Sequence, residues 1–231
     1  MTETTVWKLT DQNMRTYNGY QWTLDTKHIF PGVGPLCTFG WCHAYLSAQL
    51  AVLLAPIHVM FDPPRLFEGR GVVGAHDFQL KVGCSSLTLG REIKIPEITV
   101  RQRIAFGLNC ALAVYQEEFF VRLAKKWLSS PSPYISEEEH IAVWTRTSGK
   151  TEAQGRGAAR AAETAHTAIT RAPEDAGYWA GLAAERAARA AADVGTTVDL
   201  IASAEAALQP WAPWSGPGLV CRIAATPTSP P

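Results

Sequence analysis

The sequence predicts an α+β protein, a small mixed and mainly antiparallel sheet domain followed by an all-α region rich in alanine. Three observations lead there. Short β-branched and aromatic runs punctuated by Gly and Pro occupy residues 6–95. Beyond Pro96 apolar residues recur at helical spacing, and alanine, the best intrinsic helix former, dominates from Glu152 to Leu208. The expected organisation is a mixed α/β head over 1–98, then a long amphipathic helix and a capping-box helix packed on the head over 99–148. An alanine-rich helical region follows over 149–208, and a proline-rich tail over 209–231.

Val6–Leu9 and Tyr17–Leu24 read as short strands separated by the turn-prone Asp11-Gln-Asn13, with Asn18-Gly19 an alternative hairpin turn. Phe30-Pro-Gly-Val-Gly-Pro35 is a loop, because its Pro and Gly favour backbone angles that regular elements do not use. Ala44–Leu54 is apolar on most of its circumference and reads as a short buried helix ended before Pro56. His58–Phe61 reads as a strand, and Asp62-Pro-Pro64 as a break. Leu66–Val73 and Phe78–Cys84 are strands interrupted by Gly69, Gly71 and Gly74, while Leu87, Leu89, Ile93 and Ile95 show strand alternation.

Thr99 is a plausible N-cap for one long helix from Val100 to Leu128, with Ile104, Leu108, Ala111, Leu112, Tyr115, Phe119 and Leu123 on one face. Ser136 and Glu139 have the capping-box form and predict a helix from Glu137 to about Arg146. Pro173 suits a first helical turn, and Gly195 suggests a stop. Two long helices and a shorter one are therefore expected within 152–208, packed as hairpins, with Arg156, Arg160, Glu163, Arg186 and Arg189 on solvated faces. The tail after Gln209 is expected to be extended.

Lysine plus arginine equals aspartate plus glutamate, 21 of each, and no domain carries the basic excess that phosphate-gripping proteins show. Nucleic acid is therefore not the expected partner. The apolar stretch Ala44–Val59 is too short to span a bilayer and contains Gln49, Pro56 and His58. Met1-Thr-Glu-Thr-Thr5 has neither a basic nor an apolar region of the signal-peptide kind, so a cytoplasmic location is expected, of the host cell or, for a structural component, in the virion. The five cysteines read as free thiols.

Leu36-Cys37, Gly40-Trp41-Cys42-His43, Lys81-Val82, Arg91-Glu92-Ile93 and Ile104-Ala-Phe-Gly-Leu-Asn-Cys110-Ala follow one another in an order that resembles a family of uncharacterised bacteriophage and actinobacterial proteins. These join a domain of unknown function to a long alanine-rich region. The resemblance covers roughly residues 6–128 and implies a phage or prophage context without catalytic residues. Two departures stand out: the His falls one place late, and Ser85-Ser86 replaces a charged pair.

Cys37, Cys42, His43 and Cys84 are of the right chemistry for zinc but lack a second well-spaced ligand pair. Two buried structural cysteines are the simpler reading, and no metal or other cofactor is expected. His43, at a strand-to-helix junction, is the candidate base if the protein is an enzyme, with Tyr20 and Trp41 as candidate ligand-binding neighbours. The element order of the head also resembles an ADP-ribosyltransferase, which implies NAD as cosubstrate and Glu92 or Glu97 as the acid, although the usual first Arg is absent. Gly69-Arg-Gly-Val-Val-Gly74 has the dinucleotide-loop form without the strand and helix that would confirm it, and reads as a turn or bulged strand.

Tyr178 and Trp179 stand in an otherwise alanine-paved helix, and Trp211 and Trp214 in a proline-rich segment that cannot bury them locally. Such aromatics are enriched at protein interfaces. The leading expectation is a phage- or prophage-type accessory protein that associates with a protein partner or its own copies through the helical region. The alternatives are an NAD-using enzyme and a virion structural component.

Overall fold

In the computed structural model, residues 2–16, 19–59, 61–130, 135–148, 150–151 and 155–209 are described. The chain divides into two units, Met1–Glu97 and Ile98–Pro231, and an α+β fold results. In the first unit β1 (Thr4–Thr10) pairs antiparallel with β4 (Arg65–Asp77), and β4 with β5 (Lys81–Ile93). The short strands β2 (Lys27–Ile29) and β3 (Cys42–Ala44) share the other edge of β5, opposite residues 86–88 and 82–84.

Just past β3 the Tyr45 backbone exchanges two hydrogen bonds of 2.8 and 2.9 Å with Trp7, so the ladder β1–β4–β5–β3 returns to β1 and closes on itself. Three irregularities in the register, at Phe67/Gly69, Val72/Val73 and Val73/Ala75, supply the bend that closure needs. Enclosed residues include Val6, Trp22, Cys42, Phe67, Val82, Cys84, Leu87 and Leu89.

Glycines were expected to interrupt these strands, yet β4 and β5 are continuous hairpin arms. The residues make room for larger neighbours: a Cβ at Gly74 would lie 2.8 Å from the Trp41 ring, and one at Gly71 would lie 2.8 Å from Cys84 Sγ. The arms meet at Phe78 and Gln79, whose φ values of 47° and 65° are left-handed. The strand expected over Tyr17–Leu24 is not formed. Tyr17 and Asn18 lie outside the described residues, and Gly19–Leu24 makes only isolated bridges, because Trp22 turns into the core and donates to Thr16 Oγ1 at 3.0 Å.

The helix predicted over Ala44–Leu54 is displaced. Ala44 belongs to β3, and α1 (Ala48–His58) begins where Ser47 Oγ accepts the Leu50 amide at 3.2 Å. It runs through Pro56, which sits in the last turn and forgoes a single ladder bond. Among the described residues no strand follows: His58 ends the helix and shares a 3.2 Å hydrogen bond with the Tyr45 hydroxyl, and Met60 lies outside the described residues.

In the second unit the predicted continuous helix is two. α2 (Val100–Val114) has the Thr99/Gln102 capping box. The chain then extends through Tyr115–Glu117, and α3 (Glu118–Ser129) restarts because the Glu117 carboxylate accepts the Phe120 amide at 3.2 Å. α4 (Glu137–Thr147) begins at the predicted Ser136/Glu139 box. α5 (Arg156–Thr170), α6 (Pro173–Asp193) and α7 (Leu200–Leu208) are the two long helices and the shorter one.

Pro173 opens α6, and Gly195 closes it in a Schellman turn, with Thr196 N donating to Ala191 O and Gly195 N to Ala192 O. Within the second unit α2 packs against α5, α6 and α7. Small residues let these helices approach closely: a Cβ on Gly107 would stand 3.0 Å from the Ala180 backbone, and one on Gly157 would stand 3.1 Å from Ala190 Cβ. Among the described residues no helix is long and apolar enough to cross a membrane.

Candidate functional site

In the first unit the three residues singled out for ligand binding are each engaged elsewhere. The Tyr20 hydroxyl is 2.9 Å from His28 Nδ1, inside a cluster with Trp22 and Phe30 whose ring centroids lie 5.1 and 5.5 Å from that of Tyr20. Trp41 lies over Gly74 and Gly83 and donates from Nε1 to Gly34 O at 2.8 Å. His43 Nε2 is hydrogen-bonded to Leu36 O, and burial pushes its pKa below the ordinary imidazole value. A histidine held neutral and tied to a main-chain carbonyl is positioned to fix the 36–43 loop.

The two candidate acids are bound in ion pairs. Glu92 meets Arg65 through two bonds of 2.9 and 2.6 Å, which lowers its pKa, and Glu97 meets Lys94 at 2.7 Å. The cysteine cluster is also divided. Cys42 and Cys84 face each other across the β3–β5 ladder, His43 alternates to the other side of β3, and Cys37 is exposed. Among the described residues no group of three or more His, Cys, Asp or Glu side chains gathers as for a metal. Burial pushes the Cys84 thiol up to about 12, so it stays protonated and unreactive.

Lys8 carries no sequence signal of its special position. It alternates with Val6 on the inner side of β1 and is only 7% exposed. Its amine donates to His43 O at 2.6 Å and lies 5.0 Å from the centre of the Trp22 ring. These contacts satisfy a cation inside the closed ladder and tie β1 to β3.

The second unit presents a different arrangement. Tyr178 and Trp179 meet edge to face at 5.6 Å on α6, and Arg171, at the end of α5, lies 5.7 Å over the Trp179 ring. Tyr178 remains 46% exposed. The outward stripe continues at steps of four, three and four through Leu182, Glu185 and Arg189, the last two ion-paired at 2.8 Å. Trp211 and Trp214 lie outside the described residues.

No family model matches this chain, and no curated protein or solved structure matches it. The site is therefore read from its own chemistry. Tyr178, Trp179 and Leu182 on α6, with Arg171 from the end of α5 over the Trp179 ring, offer an apolar and π-rich ledge bordered by the Glu185–Arg189 ion pair, and the inward faces of α6 are spent on alanine packing.

Proposed function

We propose that this chain is a phage- or prophage-type accessory protein that works by associating with copies of itself through the α6 ledge. The observation that carries the reading is Tyr178, a large aromatic half exposed to solvent beside the Arg171–Trp179 stack. Arginine and aromatic residues supply most of the binding energy at protein interfaces. A second copy is the favoured occupant because the chain has no net charge, with 21 basic and 21 acidic residues, so like-charge repulsion does not hold copies apart.

Size-exclusion chromatography with light scattering tests the proposal. The wild-type chain is expected above its 25.1 kDa monomer mass, and Tyr178→Asp is expected to return it to that mass with its helical content unchanged. Assembly untouched by the aspartate would remove α6 from the interface. The phage setting draws on the resemblance carried by residues 36–37, 40–43, 81–82, 91–93 and 104–111. Neighbouring genes for virion or lysogeny proteins support it, and a purely metabolic neighbourhood counts against it.

A further inference from the structure

Of the helices in the second unit α4 buries the fewest residues, Val143 and Thr147, and it packs against α5 and, more lightly, α3. α5 beside it buries seven residues, and α6 buries ten, every one alanine or glycine. On the outer side of α4, Ile141 and Trp144 stay 54% and 57% exposed, so little apolar area holds this helix in place. Two polar contacts fasten its first turn. Lys126 on α3 donates to both carboxylate oxygens of Glu139 at 2.8 and 3.0 Å, and the exposed His140 ring lies 4.8 Å from the ring of His166 on α5.

His166 is 3% exposed, and its Nε2 has no hydrogen-bond partner. A proton added to this ring puts a charge, and an N–H without an acceptor, into the α4–α5 contact. The buried face of α6 is alanine and glycine, and the buried residues of α2 are uncharged, with Cys110 the titratable one among them. Arg186 of α6 is engaged on the Thr164 hydroxyl, and Glu163 is the nearest charged residue along α5. The charges that act on His166 come from α4. His140 opposes its proton, and Glu139, already paired with Lys126, favours it more weakly.

We infer that α4 is an acid-released latch: as pH falls, the His140–His166 contact comes apart and α4 leaves α5, while α2, α5, α6 and α7 stay packed. Release lets water reach His166 and restores the proton affinity of an ordinary imidazole. Burial first, and the His140 charge second, hold the docked ring at a pKa of about 4 against the ordinary 6.5. Docking is therefore at full strength above pH 6.5 and weakens as pH drops toward 4. These two values make docking about 30-fold weaker at pH 5.0 than at pH 7.5. The latch uses no residue of the α6 ledge and does not depend on self-association.

Hydrogen exchange of the full chain, read by mass spectrometry at pH 7.5 and 5.0 and corrected for intrinsic rates, tests the latch. Protection of residues 137–147 is expected to fall about 30-fold at the lower pH, while that of residues 173–193 changes by less than about threefold. His166→Leu and His166→Gln place a side chain that takes up no proton at this contact. Each is expected to hold the α4 change within about threefold. A wild-type fall in α4 of less than about threefold overturns the proposal, as does loss of protection in α6 in step with α4. So does an undiminished fall in either variant that keeps the wild-type circular dichroism at pH 7.5.

Discussion

Gly40 shows how much one carbon atom can decide. A Cβ there would lie 1.9 Å from the Val33 carbonyl oxygen, a main-chain atom that cannot swing aside, and Gly32 N bonds to Gly40 O at 2.8 Å across the same loop. Gly40→Ala is expected to destabilise the protein by about 2 kcal/mol or more, read as a lower urea midpoint at unchanged slope. A midpoint within error of wild type would mean the loop opens freely.

His166 is a second such position. Its ring is buried with Nε2 unpaired, 4.8 Å from the His140 ring, and burial followed by the His140 charge depresses its pKa to about 4. The unfolded chain therefore takes up this proton first. The stability associated with the neutral ring is whole above the ordinary pKa of 6.5 and falls as pH drops toward 4, by roughly 3 kcal/mol in the limit. His166→Leu should shrink the loss of stability between pH 7 and pH 4. An equal loss in the variant would assign acid sensitivity to other groups. None of this was legible in the sequence, since a lone histidine in an alanine run gives no sign of what packs above it.

Segments with strong local rules were read well, and those settled by tertiary contact were not. The Ser136/Glu139 box, Pro173 at a helix start and Gly195 at a helix stop each act within a few residues, and each was correct. The break at Tyr115–Glu117 was missed because Phe119, Phe120 and Leu123 continue the apolar count past a cap made by glutamate, an uncommon choice. Glu117→Ala should cost about 1 kcal/mol by thermal melting, and no change in melting temperature would show that the Phe120 amide finds another acceptor. The glycines of β4 misled in the opposite direction. Read as interruptions, they are where the strand yields space to Trp41 and Cys84.

For the chain as a whole, the change of architecture predicted near Pro96 falls at the boundary between Glu97 and Ile98. The candidate sites were less visible. Tyr178 and Trp179 could be picked out as large side chains among alanines, whereas the Arg171 that lies over the Trp179 ring reaches it only in three dimensions. Sedimentation equilibrium of the wild-type chain beside the Tyr178→Ala/Trp179→Ala double variant, across a hundredfold concentration range, tests association through α6 most directly. The expected result is a wild-type mass that rises with concentration above 25.1 kDa and a double variant that stays at it. A wild-type chain that remains at 25.1 kDa throughout, or a double variant that assembles equally well, would contradict it.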